Sequence, residues 1–270
     1  MYSAASGGLA ACLYLLTGAF LGIRLARAGQ TNLPGKATIL ALILVAIALH
    51  GAVLGTSIVQ PDGMNLGFFN ALSFTGWLIA VLLLLCSLVR PVENLGIVLL
   101  PFAATTVVLA LIFPSSRIVT DAARWRLELH ILISMTAYAL LALAAVQAIL
   151  LAVQDRRLRR RHPGGFLRGI PPLVTMETLL FQMITAGFTA LTLALLSGFL
   201  FLDDIFAQHL VHKTVLSIAA WGVFGILLWG RARFGWRGRI AIRWTLAGFG
   251  VLVLAYFGSK LVLELVLQRG

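Results

Sequence analysis

The chain has 270 residues, of which 60% are hydrophobic and only 11% are charged, and its mean hydropathy is +1.00. A soluble domain carries about 25% charged residues, so these side chains are too apolar to cover a water-facing globule and need lipid around them. A net charge of +12 would suit a nucleic-acid binder. The basic residues, however, cluster in short segments between apolar runs, where membrane topology explains them, and we expect no nucleic-acid partner.

Eight apolar runs are long enough to span a bilayer, since a transmembrane helix needs about 20 mostly apolar residues. The predicted helices occupy residues 8–28, 37–59, 66–89, 95–113, 127–153, 178–202, 213–230 and 241–266. Turn-forming residues such as Gln60-Pro61-Asp62-Gly63 separate neighbouring runs. Because no linker or internal repeat interrupts them, the sequence predicts an all-α polytopic helix bundle, with residues 1–270 as a single integral membrane domain.

Lysine and arginine are unevenly distributed between the loops. Fifteen of the 21 lie at the loops that follow helices 1, 3, 5 and 7, and six lie in the other set. Cytoplasmic loops are enriched in basic residues, so the first set should face the cytoplasm and both termini should lie outside. The long loop from Gln154 to Met176 contains QDRRLRRRHPGG. We interpret it as a topology anchor that contacts the headgroups of anionic membrane lipids.

Four of the five histidines share one predicted depth, in the outer leaflet or at the outer surface. They are His50, His130, His209 and His212, whereas His162 lies in the basic cytoplasmic loop. Histidine is the commonest metal ligand, and two histidines on facing helices suit heme iron. Taken singly, each histidine is better explained by a structural hydrogen bond between helices than by metal binding. Their common depth makes metal binding more plausible without making it the preferred explanation.

The surroundings of two histidines favour a packed site. His50 is followed by two glycines four residues apart, a pattern that lets helices approach closely. His130, Ser134 and Tyr138 are spaced at i, i+4 and i+8 and therefore lie along one stripe of the fifth helix. The Ser134 hydroxyl, one turn from the ring, is placed to fix the tautomer of His130.

Other polar groups in the apolar runs have simpler interpretations. The sixth helix carries a stripe of Gln182, Thr185, Thr189 and Thr192, which we expect to face the bundle interior and to join helices through hydrogen bonds. No nucleophile elbow, P-loop, dinucleotide fingerprint or H-E-x-x-H motif is present. We therefore assign no catalytic residue, and the sequence implies no bond-making catalysis.

The second half of the chain resembles the cytochrome c assembly family of heme-handling membrane proteins, which includes CcsA, CcmC and CcmF, and is most similar to its YpjD branch. The resemblance rests on LELHILISMTAYALLALAAVQAILLAVQDRRL from Leu127, METLLFQMITAGFTALTLALLSGFLF from Met176, and the segment from His212 that contains GWRGR and AYFGSK. These segments cover about half of the chain, and the first four helices match mainly in pattern.

The resemblance implies a multi-pass protein of the bacterial inner membrane that moves or presents b-type heme, held non-covalently, at the outer face. It places His130 where the family has an external heme-ligating histidine, and His50 where an intramembrane histidine would stand. Tyr138 and Ser134 would then belong to the heme site. Apocytochrome c or another membrane assembly protein would be the partner.

The sequence also departs from the family pattern. The outer loop before the seventh helix reads DDIFAQHLVHKTVL and lacks the tryptophans of the family's heme-presenting motif. Trp229 stands at about the position of one family histidine, and the histidine near the end of the last helix is missing. Either His50 and His130 pair with each other, or His209 or His212 replaces a partner, or heme is not bound stably.

The sequence therefore leaves three candidate functions. The first is a heme-binding or heme-handling protein of cytochrome c assembly. The second is a non-catalytic scaffold or assembly subunit that has lost heme binding, and the third is a small-solute transporter that uses the polar stripe of the sixth helix. No pair of interrupted helices supports the transporter, which we rank last.

Overall fold

The structure, a computed structural model, describes residues 2–27, 34–60, 63–114, 118–119, 124–159, 169–201 and 211–258. Within these ranges eight helices are long and apolar enough to cross a membrane, as predicted. They are α1 (Tyr2–Ala26), α2 (Lys36–Ile58), α3 (Phe68–Val89), α4 (Gly96–Ile112), α5 (Arg124–Arg159), α6 (Leu173–Phe201), α7 (Val211–Phe234) and α8 (Arg239–Val253). A 3-10 turn at Glu93–Leu95 precedes α4, and a π-helical turn at Leu254–Gly258 continues α8. The all-α prediction is confirmed.

Several helices extend beyond the predicted membrane spans. The fifth was predicted at 127–153 but runs over Arg124–Arg159, so the first part of the predicted basic loop is helical. Its 36 residues correspond to about 54 Å, against a hydrocarbon thickness of about 30 Å. Hydropathy marks the part of a helix that lies in lipid, whereas the helix itself continues into water. There, the Asp155–Arg159 ion pair at 3.0 Å and basic residues in the last turn stabilise it.

Two connections between helices meet in a small antiparallel sheet that the sequence did not predict. Its strands are β1 (Val59–Gln60), β2 (Gly63–Asn65) and β3 (Ile118–Val119), in the order β1-β2-β3. Val59 pairs with Met64, and Met64 pairs in turn with Val119. The predicted turn residues Pro61 and Asp62 lie outside the described residues. Because β2 follows α2 and β3 follows α4, these two connections lie at the same end of their helices.

The helices fall into two compact units, and each is described here by itself. The first unit comprises Met1–Val119 and Val153–Thr175, and the second comprises Thr120–Ala152 and Met176–Gly270. That all 270 residues act as a single membrane domain stays a prediction.

In the first unit, close packing of helices depends on glycines that face large side chains. A β-carbon on Gly18 of α1 would lie 3.1 Å from the Pro101 ring of α4, and one on Gly51 of α2 would lie 3.2 Å from Trp77 Nε1 of α3. Trp77 Nε1 in turn donates a hydrogen bond to the Ile47 carbonyl at 2.9 Å. Trp77 therefore fills the core between α2 and α3 with its N–H satisfied.

The end of the first unit opposite the small sheet is held by polar contacts. Lys36 Nζ lies 3.8 Å from a Glu93 carboxylate oxygen, and Asn94 Nδ2 donates to the Gly169 carbonyl at 3.0 Å. These contacts join residues at the start of α2, before α4 and before α6. They agree with the alternation used to predict topology. Which end faces the cytoplasm stays a prediction.

In the second unit, α5 carries the most buried surface. Ala137, Leu141, Ala144 and Ala148 on this helix are all fully buried. A β-carbon on Gly187 of α6 would overlap the Leu141 side chain, so α5 and α6 approach closely at this point. Near the start of α6, the Met176 carbonyl accepts a hydrogen bond from Gln147 Nε2 at 2.9 Å.

Most of the polar stripe of α6 does not face the interior, contrary to the prediction, although Thr192 does join two helices, since its hydroxyl accepts a hydrogen bond from Trp221 Nε1 of α7 at 2.9 Å. Gln182, Thr185 and Thr189 are exposed, and Thr192 is half-buried. The three threonine hydroxyls donate to carbonyls one turn earlier on α6, at 2.8–3.0 Å. A hydroxyl satisfied by its own helix needs no partner in the core, so the stripe carries little information about which face is buried.

Candidate functional site

His50 of α2 lies in a closed polar cluster in the first unit. Its side chain is fully buried, Nε2 lies 2.9 Å from the Ser73 hydroxyl of α3, and Nδ1 lies 3.5 Å from the Tyr14 hydroxyl of α1. The Tyr14 ring packs edge-on against the imidazole at a centroid distance of 5.8 Å. Both ring nitrogens thus have polar neighbours, which satisfies the polar groups of a buried histidine and links three helices.

His130 of α5 has a different environment in the second unit. Its Nδ1 lies 2.9 Å from the Ser197 hydroxyl of α6, and its Nε2 lies 3.5 Å from the Ser134 hydroxyl one turn along α5. The Ser197 hydroxyl also donates to the Ala194 carbonyl at 3.0 Å. A hydroxyl has one proton, so when Ser197 donates to Ala194 its oxygen accepts from His130. This arrangement assigns the proton of the neutral ring to Nδ1 and leaves the lone pair on Nε2.

Gly198 places α6 against the His130 ring. A β-carbon at this position would lie 3.0 Å from His130 Cε1, closer than side chains normally pack. Ser197 and Gly198 therefore act together: one accepts the Nδ1 proton, and the other leaves room for the ring edge. Together they hold the imidazole in one orientation, as the neighbours of metal-binding histidines do.

A cavity of 290 Å³ opens beside this histidine. His130, Ser134 and Tyr138 line it, so the stripe predicted on the fifth helix shares one cavity. Its remaining walls come from α6, α7 and α8 and are mostly apolar, including Leu191, Phe199, Ile218 and Leu252. The volume is close to the lower bound of about 300 Å³ for cavities that hold small molecules.

Tyr256 and Lys213 also line the cavity. Tyr256 lies in the π-helical turn that continues α8, and Lys213 lies in the first turn of α7. The Lys213 ammonium is 5.9 Å from the centre of the Tyr256 ring. Single π-helical turns are frequent at functional sites, because they redirect a side chain out of the regular helical pattern. Here Tyr256 contributes to the cavity wall, and a cation stands near His130.

Three of the predicted histidines cannot be placed by the described residues. His162 and His209 lie outside them. His212 belongs to the first turn of α7, but its side chain is not among those described. Its neighbour in the sequence, Lys213, lines the cavity. Among the described residues, no group of three or more His, Cys, Asp or Glu side chains converges on a metal position.

The arrangement in the second unit presents one oriented imidazole to an apolar cavity with a cation in its wall. Such a site can ligate a metal centre on one side, enclose a flat apolar body, and neutralise a carboxylate. Sequence reasoning did not find Ser197, Gly198 or Lys213. The Ser-Gly pair near the outer end of the sixth helix was the available signal, since small residues mark close approach of helices.

Comparison with known proteins identifies the family. A family described as "Cytochrome C assembly protein" matches residues 37–267. The chain is 35% identical over 237 residues to Inner membrane protein YpjD of Escherichia coli strain K12, covering 84% of this chain and 85% of that protein. Cytochrome c biogenesis protein CcsA of Synechococcus sp. strain CC9902 is 25% identical over 159 residues, which cover 50% of this chain and 52% of that protein. CcsA of Prochlorococcus marinus strain NATL1A is 29% identical over 89 residues, or 32% of this chain and 28% of that protein. No solved structure matches the chain.

Proposed function

The chain belongs to the cytochrome c assembly protein family and is a multi-pass protein of the bacterial inner membrane, and from this premise we propose that it binds heme through His130. The observation that carries the proposal is the His130 ring, held by Ser197 at 2.9 Å beside a mostly apolar cavity. Heme iron is bound by a neutral imidazole nitrogen, and here Nε2 is the nitrogen that keeps its lone pair. The chemistry that heme would supply is that of its iron, and the protein's part is to hold and orient it.

The residues around the cavity fit such a ligand. Leu191, Phe199 and Ile218 offer apolar surface to a macrocycle, and the Lys213 ammonium would pair with a carboxylate at its edge. Tyr138 and Ser134 line the same cavity, so their place in the heme site stays part of the proposal. The donor set and walls therefore suit the edge of a b-type heme held without a covalent bond, and the cavity of 290 Å³ would enclose only part of it.

A second histidine to hold the iron would be His212 or His209. His212 directly precedes Lys213, whose side chain lines the cavity, and His209 lies three residues further back. These two histidines are candidates because of that proximity along the chain. Pairing of His130 with His50 remains a prediction, but the closed environment of His50 argues for a structural role, since ligation would require its Nε2 to leave Ser73.

Carriage of heme, without bond-making chemistry, is the activity we propose. Membership of the family and similarity to CcsA support a role in cytochrome c assembly, so the receiving partner would be apocytochrome c or another membrane assembly protein. The predicted orientation of the helices puts the His130 cavity at the non-cytoplasmic side, where such a partner would meet it.

The proposal is tested by the absorption spectrum of the purified full-length chain from cells supplied with heme. We expect a Soret band, and its loss in His130→Ala. Leu132→Ala serves as the matched control, because Leu132 is an exposed residue of the same helix that does not line the cavity. Absence of a Soret band in the unaltered protein would refute the proposal.

The scaffold function remains the alternative, and a specific observation supports it. The loop before α7 lacks the tryptophans with which the family presents heme. A colourless protein that co-purifies with a membrane partner in fixed stoichiometry would favour that function over heme binding.

A further inference from the structure

A buried carboxylate joins two arginines at the end of the second unit opposite the His130 cavity. Glu177 of α6 is 3% exposed, and its Oε1 accepts hydrogen bonds from Arg231 and Arg237, both at 3.0 Å. Two guanidinium groups thus share one carboxylate. The cluster keeps a net positive charge, since two arginines pair with one carboxylate.

The turn between α7 and α8 is shaped to make this cluster. Gly235 and Gly238 have φ values of 65° and 55°, which only glycine adopts readily, and they bracket Trp236 and Arg237. The Gly235 N–H caps α7 by donating to the Arg231 carbonyl at 3.1 Å. This turn brings Arg237 back to Glu177. The GWRGR segment is therefore explained by the turn that its glycines allow and by the ion pair that Arg237 forms.

Arg231 also borders an open cavity of 480 Å³ on the surface of α6. Its guanidinium lies 4.6 Å from the centre of the Phe181 ring, and one terminal nitrogen, Nη1, donates to both Glu177 and the Trp236 carbonyl. A guanidinium has five N–H donors. The other three have no hydrogen bond within the described part of the chain, so Arg231 is held in place with donors to spare.

Three other residues that line this cavity have polar side chains. Thr178, Gln182 and Thr185 line it together with Phe181 and Ala186. Gln182 is exposed, and its amide has no hydrogen-bond partner among the described residues. It stands one and a half turns along α6 from Glu177. An unpaired amide next to lipid is costly, so its presence here points to a ligand with acceptor oxygens.

We propose that this cavity binds one anionic phospholipid. The phosphate would pair with the spare donors of Arg231 beside Arg237, and the Gln182 amide, deeper along α6, would donate to an ester carbonyl. The acyl chains would follow the apolar surface of α6. Arginine matches phosphate because its fork of donors meets two oxygens at once, and the net positive charge of the cluster selects an acidic headgroup over a neutral one. By the predicted topology, this is the cytoplasmic leaflet.

The proposal is tested by native mass spectrometry of the delipidated full-length protein in a non-ionic detergent. The probes are phosphatidylglycerol and phosphatidylcholine with identical acyl chains. We expect tighter binding of phosphatidylglycerol, weakened roughly tenfold by Arg231→Gln, in line with a lost hydrogen bond to a charged group. Gln182→Leu, which breaks no other contact, should weaken it about fivefold.

Two matched control variants distinguish binding at this site from non-specific electrostatic attraction between the anionic lipid and the basic protein. Arg233→Gln removes one charge from the same helix end without touching the cavity or Glu177, and Thr189→Val changes an exposed polar residue further along α6. Both should leave the tightest phosphatidylglycerol site within about twofold of the unaltered protein, as expected for surface positions. Equal losses in Arg231→Gln and Arg233→Gln, or equal binding of the two lipids, would overturn the proposal.

A further arm separates a lipid from a free anion, which shares the phosphate chemistry. Inorganic phosphate at millimolar concentration should not displace phosphatidylglycerol, because it lacks the ester and acyl groups. Full displacement by phosphate alone would show an anion site and overturn the assignment to a lipid.

Discussion

His50 and His130 look equivalent in the sequence, yet the structure gives them opposite environments. His50 is sealed in the first unit, and both of its ring nitrogens have polar neighbours on other helices. His130 is half-buried in the second unit. Its Nδ1 contacts Ser197, and its Nε2 lies near Ser134, a residue that lines the cavity. An intramembrane histidine can therefore join helices or present a ligand atom. The difference lies in what satisfies its second nitrogen.

Replacing each histidine with leucine should separate the two roles most strongly. His50→Leu leaves the Ser73 and Tyr14 hydroxyls without their partner, which we expect to lower the free energy of unfolding by about 1–3 kcal/mol while heme binding is retained. His130→Leu should abolish heme binding and affect stability less, because this residue is half-buried. Unfolding in mixed detergent micelles and the Soret absorbance measure the two effects. Loss of heme in His50→Leu, at unchanged stability, would reverse the assignment.

Replacing the serines that contact the two histidine rings should give smaller effects that distinguish the two roles more specifically. Ser197→Ala removes the acceptor that fixes the His130 tautomer, and loss of such a partner typically weakens metal binding about 10–100-fold. Ser73→Ala should instead lower the free energy of unfolding by about 0.6–1.7 kcal/mol, as for other hydrogen bonds between membrane helices, and leave heme affinity unchanged. Heme titration of both variants decides the point. Equal heme affinities in the two variants would mean that Ser197 does not orient a ligand.

The glycines beside the rings should show the smallest effects. Gly198→Ala puts a methyl group 3.0 Å from His130 Cε1 and should shift the ring, lowering heme affinity a few-fold with a modest loss of stability. Gly51→Ala puts one 3.2 Å from Trp77 Nε1 next to His50, and there we expect a change in stability alone. The heme affinity and the thermal denaturation midpoint of each variant test this. A fall in heme affinity for Gly51→Ala as large as that for Gly198→Ala would remove the distinction between the two units.

The membrane helices could be predicted from sequence because an unbroken run of about 20 apolar residues matches the thickness of a bilayer and is rarely needed in a water-soluble core. Their ends could not. α5 continues to Arg159 because water satisfies the polar backbone groups of its end and the Asp155–Arg159 ion pair stabilises the last turn. A hydropathy profile detects neither of these effects. The π-helical turn at Leu254–Gly258 and the small sheet through Met64 also depend on contacts between distant segments.

Site residues could be predicted from the sequence only where they lie on one helix. His130, Ser134 and Tyr138 share a stripe by helical spacing, and all three line the cavity. Ser197 and Lys213 reach it from other helices, so no periodicity within one element reveals them. The stripe on α6 misled for a related reason, since Thr185 and Thr189 satisfy their hydroxyls on their own helix and need no interior.

The most direct test of the account is chemical rescue of His130. In His130→Gly, purified from cells supplied with heme, the Soret band should be lost, and heme added together with imidazole should restore it, because imidazole occupies the space of the missing ring. A His130→Gly protein that keeps the unaltered spectrum before imidazole is added would contradict the claim that His130 binds the iron.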